Sequence, residues 1–279
     1  MADLPGQSGW SGMMEAPSRG DRRKKNRMQD DGQSGETVQA PLCRIWGAGQ
    51  YFGEEVARGG QALVIAADGG LEPALEHGDE PNLVVGDFDS LPAGSRKLRT
   101  DIPRRVLPAE KDDTDLLAAV KVGWQHGCRR FLIYGGLGGR MDHTLANLNL
   151  IHLIAASGGR AELWGRGMLV TALGPGSLDF PAWDCPPRSM ISVLAADDQA
   201  LGVVEQGLKY QTDGMTMTNQ QVTGVSNEFL PGRPAHIGLK QGTVFVTYPT
   251  SAPQPVWSTS LEPRADLGSL ETRPSRRLA

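Results

Sequence analysis

Between about residues 42 and 172 the chain alternates two hydropathy patterns: short runs of consecutive apolar residues, and stretches whose apolar positions recur every three or four residues. The runs at 44–46, 62–67, 83–85, 105–107, 131–134 and 161–164 predict buried strands, because a strand covered on both faces shows no polar alternation. The stretch 115–126 predicts a helix with Leu116, Ala119, Val120 and Gly123 on one side. Thr114 stands where its hydroxyl can accept an orphan N–H of that helix. Residues 142–156 predict a second helix, closed by Gly158 and Gly159. Strands alternating with helices predict a mostly parallel α/β sheet.

From Gly174 the helical period disappears. Short turn-separated runs at 177–180, 190–194, 202–204, 207–210, 236–239 and 243–247 predict a small β-sandwich. A core of about 75 residues is marginal alone, so it is expected to pack on the α/β part or on another subunit. Pro175, Pro181, Pro186 and Pro187 mark the junction. Residues 1–40 and 251–279 are polar, Gly/Ser- or Pro/Arg-rich, and are expected to be disordered tails, because they cannot bury enough surface to offset ordering entropy. The expected organisation is therefore a tail at 1–40, an α/β domain at 41–172, a β-sandwich domain at 173–250 and a tail at 251–279. The basic cluster of Arg19, Arg22, Arg23, Lys24, Lys25 and Arg27 reads either as a nucleic-acid or localisation patch, or as a solvated stretch upstream of a true start such as Met28. The second reading is preferred, and no nucleic-acid partner is expected.

Composition narrows the class. A net charge of −4 gives no bulk attraction to polyanions. The three cysteines, Cys43, Cys128 and Cys185, are odd in number and far apart, which fits neither a disulfide framework nor a zinc pattern. No apolar run approaches the roughly 18 residues of a membrane span, and no secretory leader is evident. A cytoplasmic protein without a membrane partner is expected.

The candidate chemistry follows the predicted strands. Residues 66–70 read AADGG, 86–90 GDFDS, 111–115 KDDTD and 135–143 GGLGGRMDH. Ligands of open α/β sheets bind beyond the carboxyl ends of strands. Asp87 and Asp89, two apart after Gly86, can face one Mg²⁺, which takes a few carboxylates and completes its shell with water and phosphate oxygens. They also suit an ordinary turn. Asp112 and Asp115, three apart, share a face at a helix start, where they serve either a cation or the helix dipole. Asp113 is expected to point away into solvent. Lys111 can meet a phosphate as a point charge, and Arg140 can meet one bidentately. The glycines of 135–139, Gly138 and Gly139 among them, let backbone N–H groups approach an anion at a helix N-terminus. Asp142 and His143 fall in the first turn of that helix and can orient groups or move a proton; His143 serves equally as a capping residue. Two nucleotide fingerprints fail: there is no G-x-x-x-x-G-K-[ST], and 47–53 (GAGQYFG) misses G-x-G-x-x-G by one position. The polar pair Ser226 and Asn227, beside Phe229, suits either a heteroaromatic ligand or a turn.

With GLKY at 207–210 and SNEF at 226–229, these make six pieces in order between about residues 42 and 248, and the set resembles the thiamine pyrophosphokinase (thiamine diphosphokinase) family. The resemblance implies a Rossmann-like α/β domain followed by a β-sandwich, a homodimer, and a transferase moving pyrophosphate from ATP to thiamine with Mg²⁺. It implies metal ligation by Asp87, Asp89 and Asp112, and an acidic wall completed by Asp115. Lys111, Gly138, Gly139, Arg140 and His143 would contact ATP. Asp68 and Asp142 would orient the hydroxyl or bind ATP. Ser226 and Asn227 would contact thiamine, with Tyr210 the nearest local aromatic. Two rivals compete with it. A phosphatase would use Asp87 as nucleophile, for which Leu91 fits poorly. A non-catalytic module would bind nucleotide or thiamine without turnover.

Overall fold

Six strands pair in parallel in the order β6–β5–β1–β2–β3–β4. They are β1 (Leu42–Trp46), β2 (Ala62–Ala67), β3 (Leu83–Gly86), β4 (Arg104–Val106), β5 (Arg130–Tyr134) and β6 (Arg160–Gly165). The structure, a computed structural model, describes residues 41–53, 61–88 and 101–275. The stretch 1–40 with its basic cluster, Asp89, and residues 276–279 lie outside the described residues. All six expected strands form, each within two residues of its expected ends, and runs such as Phe131–Tyr134 are fully buried.

Helices α2 (Asp115–Gln125) and α3 (Met141–Ala156) cover one face of this sheet. Their apolar sides pack with Cys43, Ile45, Phe131 and Ile133. The Leu117 N–H donates to Thr114 Oγ1 at 3.2 Å, the expected cap. A short helix, α1 (Leu71–Glu76), was not foreseen; it follows a single 3₁₀ turn at Asp68–Gly70.

The strand-only half departs from a separate sandwich. β7 (Met168–Leu173) continues the sheet antiparallel to β6, and β14 (Val244–Pro249), β9 (Met190–Ala195) and β12 (Asn227–Glu228) extend it to ten strands. A second sheet of five strands has the order β11–β10–β13–β8–β15. Its members are β8 (Gly176–Phe180), β10 (Ala200–Gln206), β11 (Thr212–Met217), β13 (Ala235–Leu239) and β15 (Val256–Thr259). Leu169, Leu173, Val193 and Val246 of the long sheet bury against Leu178, Val203 and Ile237 of the short one. Period-2 alternation lets one strand serve both sides: Val170 and Ala172 of β7 point into the helix-side core, Leu169 and Leu173 into the sandwich core. One sandwich layer is therefore the far end of the α/β sheet. The expected boundary at 172/173 cuts through β7, where few-contact linkers do not fall.

Two further expectations fail. Residues 207–210 do not form a strand: Gly207 has φ +72, and only one bridge, Leu208 to Phe229, forms there. Residues 251–275 are not a loose tail. They supply β15 and then cross α2, where Trp124 Nε1 donates to the Arg264 carbonyl at 2.9 Å. Pro and Arg content hid the segment's few anchoring residues.

On the face opposite α2, Asp79 is 6% exposed and accepts from Arg44 Nε at 2.8 Å, Arg44 Nη2 at 2.7 Å and Trp46 Nε1 at 2.8 Å. This bidentate pair raises the Arg44 pKa, first through the hydrogen bond itself. Removing the carboxylate strands a guanidinium and an indole N–H in the interior. Asp79→Ala is expected to cost about 3–5 kcal/mol, read as a lower urea midpoint at unchanged slope.

Candidate functional site

The carboxyl ends of β1, β2, β3 and β5 meet because their registers align: Trp46 lies opposite both Ala66 and Tyr134, and Ala67 opposite Val85. Each strand hands over at once to a loop. After β1, the Gly47 N–H donates to the Tyr134 carbonyl at 2.9 Å and the Gly49 N–H to the Gly135 carbonyl at 3.1 Å. A Cβ on Gly49 would overlap that Gly135 carbonyl. The near-match to a dinucleotide fingerprint thus has another cause: two backbones lie in contact here, and only glycine fits.

Asp68 follows β2 with φ +46, a conformation that Asp tolerates better than most residues, and is 8% exposed. A Cβ on Gly86 would sit 3.1 Å from Asp68 Cα, so the bare glycine lets the ends of β2 and β3 close up. Asp87 comes next in the chain. Lys111 Nζ stands 2.9 Å from Asp115 Oδ1 and 3.8 Å from Asp87 Oδ2, with its side chain only 5% exposed. The ammonium therefore draws the β3 end and the α2 start together.

A cleft of about 570 Å³ opens above these loops. Of the expected site residues, Asp68, Asp115, Gly138, Gly139, Arg140 and His143 line it. Gln50, Thr114 and Asn147 line it as well. Asn147 is 4% exposed and donates through Nδ2 to the Gly136 carbonyl at 2.7 Å, which holds the glycine loop in place. Its signal was present in the chain: it lies one helical turn beyond His143. Gln50 carried no such signal.

Other expected residues take different positions. Asp142 does not line the cleft: its Oδ2 receives Arg140 Nη2 at 2.6 Å, and both side chains are exposed. That hydrogen bond, first, holds the Asp142 carboxyl below the ordinary range and raises Arg140. Asp113 does not point into solvent: Lys121 Nζ reaches its two oxygens at 2.8 and 2.6 Å, and both side chains are 10% exposed. The Asp112 backbone N–H donates to Glu271 Oε2 at 2.6 Å. Among the described residues no three His, Cys, Asp or Glu side chains converge as a metal cluster. Asp89, one of the three expected ligands, lies outside them.

Tyr210, Ser226 and Asn227 lie apart from the residues lining the cleft. Tyr210 is exposed, with Lys209 Nζ 5.6 Å from its ring centre. The Asn227 amide is committed to the fold: Oδ1 accepts from the Tyr210 N–H at 2.9 Å, and Nδ2 donates to the Tyr210 carbonyl at 2.7 Å and to Glu205 Oε2 at 2.9 Å. At 5% exposure it holds Tyr210 in place. Ser226 has φ +62, and its N–H donates to Ser192 Oγ.

Comparison with known proteins bears on this arrangement. Residues 59–162 match the family model described as thiamin pyrophosphokinase, catalytic domain. That span holds the cleft's acidic strand ends and the glycine loop. A thiamine pyrophosphokinase of Bacillus subtilis is 27% identical over 173 residues, which is 61% of this chain and 80% of the relative. Thiamin pyrophosphokinase 1 of Caenorhabditis elegans is 25% identical over 176 residues, covering 59% and 70%. Over these spans the chain is similar to thiamine pyrophosphokinases. The fold agrees: the crystal structure of the B. subtilis thiamine pyrophosphokinase superposes with a TM-score of 0.65 at 21% identity, over 75% of this chain and 99% of that one. A Geobacillus thermodenitrificans family structure gives 0.64 at 23%, over 76% and 100%.

Burial raises the Glu205 pKa above its ordinary 4.5, and the Asn227 hydrogen bond only partly opposes this. The native state then binds more protons than the unfolded chain, so this contribution is complete below pH 4.5 and is lost as pH rises through the folded value. Urea unfolding across pH is expected to show wild type losing stability relative to Glu205→Gln as pH rises above 4.5. Parallel curves for the two proteins would sink this assignment.

Proposed function

We propose that the chain is a thiamine pyrophosphokinase, transferring the pyrophosphoryl group of ATP to the hydroxyethyl group of thiamine and releasing AMP. The observation that carries this reading is the cleft itself, where the carboxylates of Asp68, at the end of β2, and Asp115, at the start of α2, line the same space as a glycine-rich loop with Arg140 and His143. Polyphosphate suits that loop, because open N–H groups at a helix start receive anions. The donor set also fits a divalent cation. Asp87 and Asp115 already share one cationic group, the Lys111 ammonium, and hard carboxylate oxygens are the ligands that Mg²⁺ takes. Asp87, with Asp89 and Asp112, would hold the metal. When bound, it would supply charge neutralisation for the transferred phosphates.

The remaining work is positioning, which dominates phosphoryl-type transfer. Lys111 and Arg140 offset charge that builds on the bridging and leaving oxygens. To do so Arg140 leaves Asp142, an exposed pair that contributes little to stability. Asp68, buried among the residues that line the cleft, would orient the hydroxyl or bind ATP. Asn147 keeps the glycine loop shaped for the phosphates. Tyr210 and Ser226, carried by the strand-only half, would contact thiamine, with Asn227 as their support. Because they do not line the cleft of the same chain, the reading includes a homodimer in which one subunit's strand-only half closes the other's cleft.

Product analysis with ATP, Mg²⁺ and thiamine, with and without a chelator, tests this directly. AMP and thiamine diphosphate are expected in equal amounts, abolished by chelation. ADP with thiamine monophosphate overturns the chemistry, and thiamine-independent phosphate release favours the phosphatase reading. Asp87→Asn is expected to lower kcat by roughly 10²–10³-fold, the scale of losing one charge-stabilising group, with an unchanged unfolding midpoint. Wild-type turnover from that variant would remove Asp87 from the site.

A further inference from the structure

After β15 the chain does not leave the molecule; it runs as a strap from the end of α3 across α2 to the acidic loop before α2. The Arg264 N–H donates to the Ser157 carbonyl at 3.0 Å, and Trp124 Nε1 donates to the Arg264 carbonyl at 2.9 Å. Leu267 and Leu270 then pack against the helix-side core. Lys121 Nζ, which binds Asp113, also donates to the Ser269 carbonyl at 3.0 Å. Glu271 Oε2 receives the backbone N–H groups of Asp112 at 2.6 Å and Asp113 at 3.3 Å. The Ser275 N–H closes the strap on the Glu110 carbonyl at 2.9 Å.

The strap's end thus holds the loop that carries Lys111, Asp112 and Asp115. The strap satisfies the N–H groups of Asp112 and Asp113 from outside the loop, at Glu271. A carboxylate acceptor does so with a charge-assisted hydrogen bond, about twice as strong as a neutral one. We propose that Glu271 is a positioning residue of the cleft: by binding the Asp112 and Asp113 amides it fixes the acidic loop, and with it the Lys111 ammonium between Asp87 and Asp115. Magnesium-bound ATP then meets a preformed loop instead of ordering one. The inference rests on reading the cleft as the site for that nucleotide.

The test compares wild type, Glu271→Ala and Glu271→Gln in the full chain. Amide hydrogen exchange of Asp112 and Asp113 is expected to speed up in Glu271→Ala and to be intermediate in Glu271→Gln, which keeps an acceptor oxygen. The calorimetric Kd for ATP in the presence of Mg²⁺ is expected to weaken roughly 10-fold in Glu271→Ala, the scale seen when a group orienting a ligand is lost, with the KM for thiamine unchanged. A merely structural role would lower the unfolding midpoint without that split. Unchanged exchange overturns the proposal, and so does faster exchange with unchanged ATP affinity. If wild type binds ATP but turns over no thiamine, the proposed function falls, while exchange and calorimetry still decide the role of Glu271.

Discussion

Carboxylates crowded at one edge of a sheet repel one another, and much of this molecule is arranged around that repulsion. Asp68, Asp87, Asp112, Asp113 and Asp115 all belong to loops at the carboxyl ends of the parallel strands or at the start of α2. Two buried lysines answer them. Lys111 stands between Asp87 and Asp115, and Lys121 holds Asp113 from the second turn of α2. With little water nearby these attractions are stronger than at a surface, and an unmatched acid would take up a proton or open the loop. The pairs are nonetheless provisional on the cleft side. Lys111 is a compact point charge on a flexible stem, so it can pass from carboxylate to phosphate as a ligand arrives.

What the chain disclosed in advance follows from the range of the forces involved. Buried parallel strands announce themselves as apolar runs, and β1 to β6 were legible for that reason. The caps were legible too, since Thr114 and the Gly158 turn act within four residues of themselves. β7 was not, because its six residues follow β6 after only a tight turn at Arg166 and Gly167, too close to stand out as a separate run. β11 and β15 lie at sheet edges with mixed polarity, where period-2 patterning fades. The shared sheet was also illegible: nothing in residues 168–173 states that one strand will face two cores.

The site was legible in its chemistry and not in its supports. The acidic strand ends and the glycine loop mark the cleft as a candidate site, because their composition is unusual for strand ends. Asn147 and Gln50 complete the cleft without any unusual composition of their own, while Asn227 had the right chemistry but spends it on Tyr210. A residue's type says what it can bond; only the fold says what is already bonded. The glycines at 47–53 make the same point, since their spacing suggested a nucleotide turn while the contact they serve is with the Gly135 backbone.

The strap draws these strands of argument together. Its residues are too polar and too rich in proline to signal order, yet a few of them find partners on α2 and the acidic loop: an indole N–H at Trp124, an ammonium at Lys121, two loop amides at Asp112 and Asp113. Each bond alone is small, about 1 kcal/mol net, and would not order a free segment. Spaced along one path and joined by Leu267 and Leu270 in the helix-side core, they act together, since fixing one anchor lowers the entropic cost of the next. The order of this segment therefore depends on the order of the acidic loop, and the loop's on the segment. That mutual dependence gives a stretch distant in sequence its influence on the cleft.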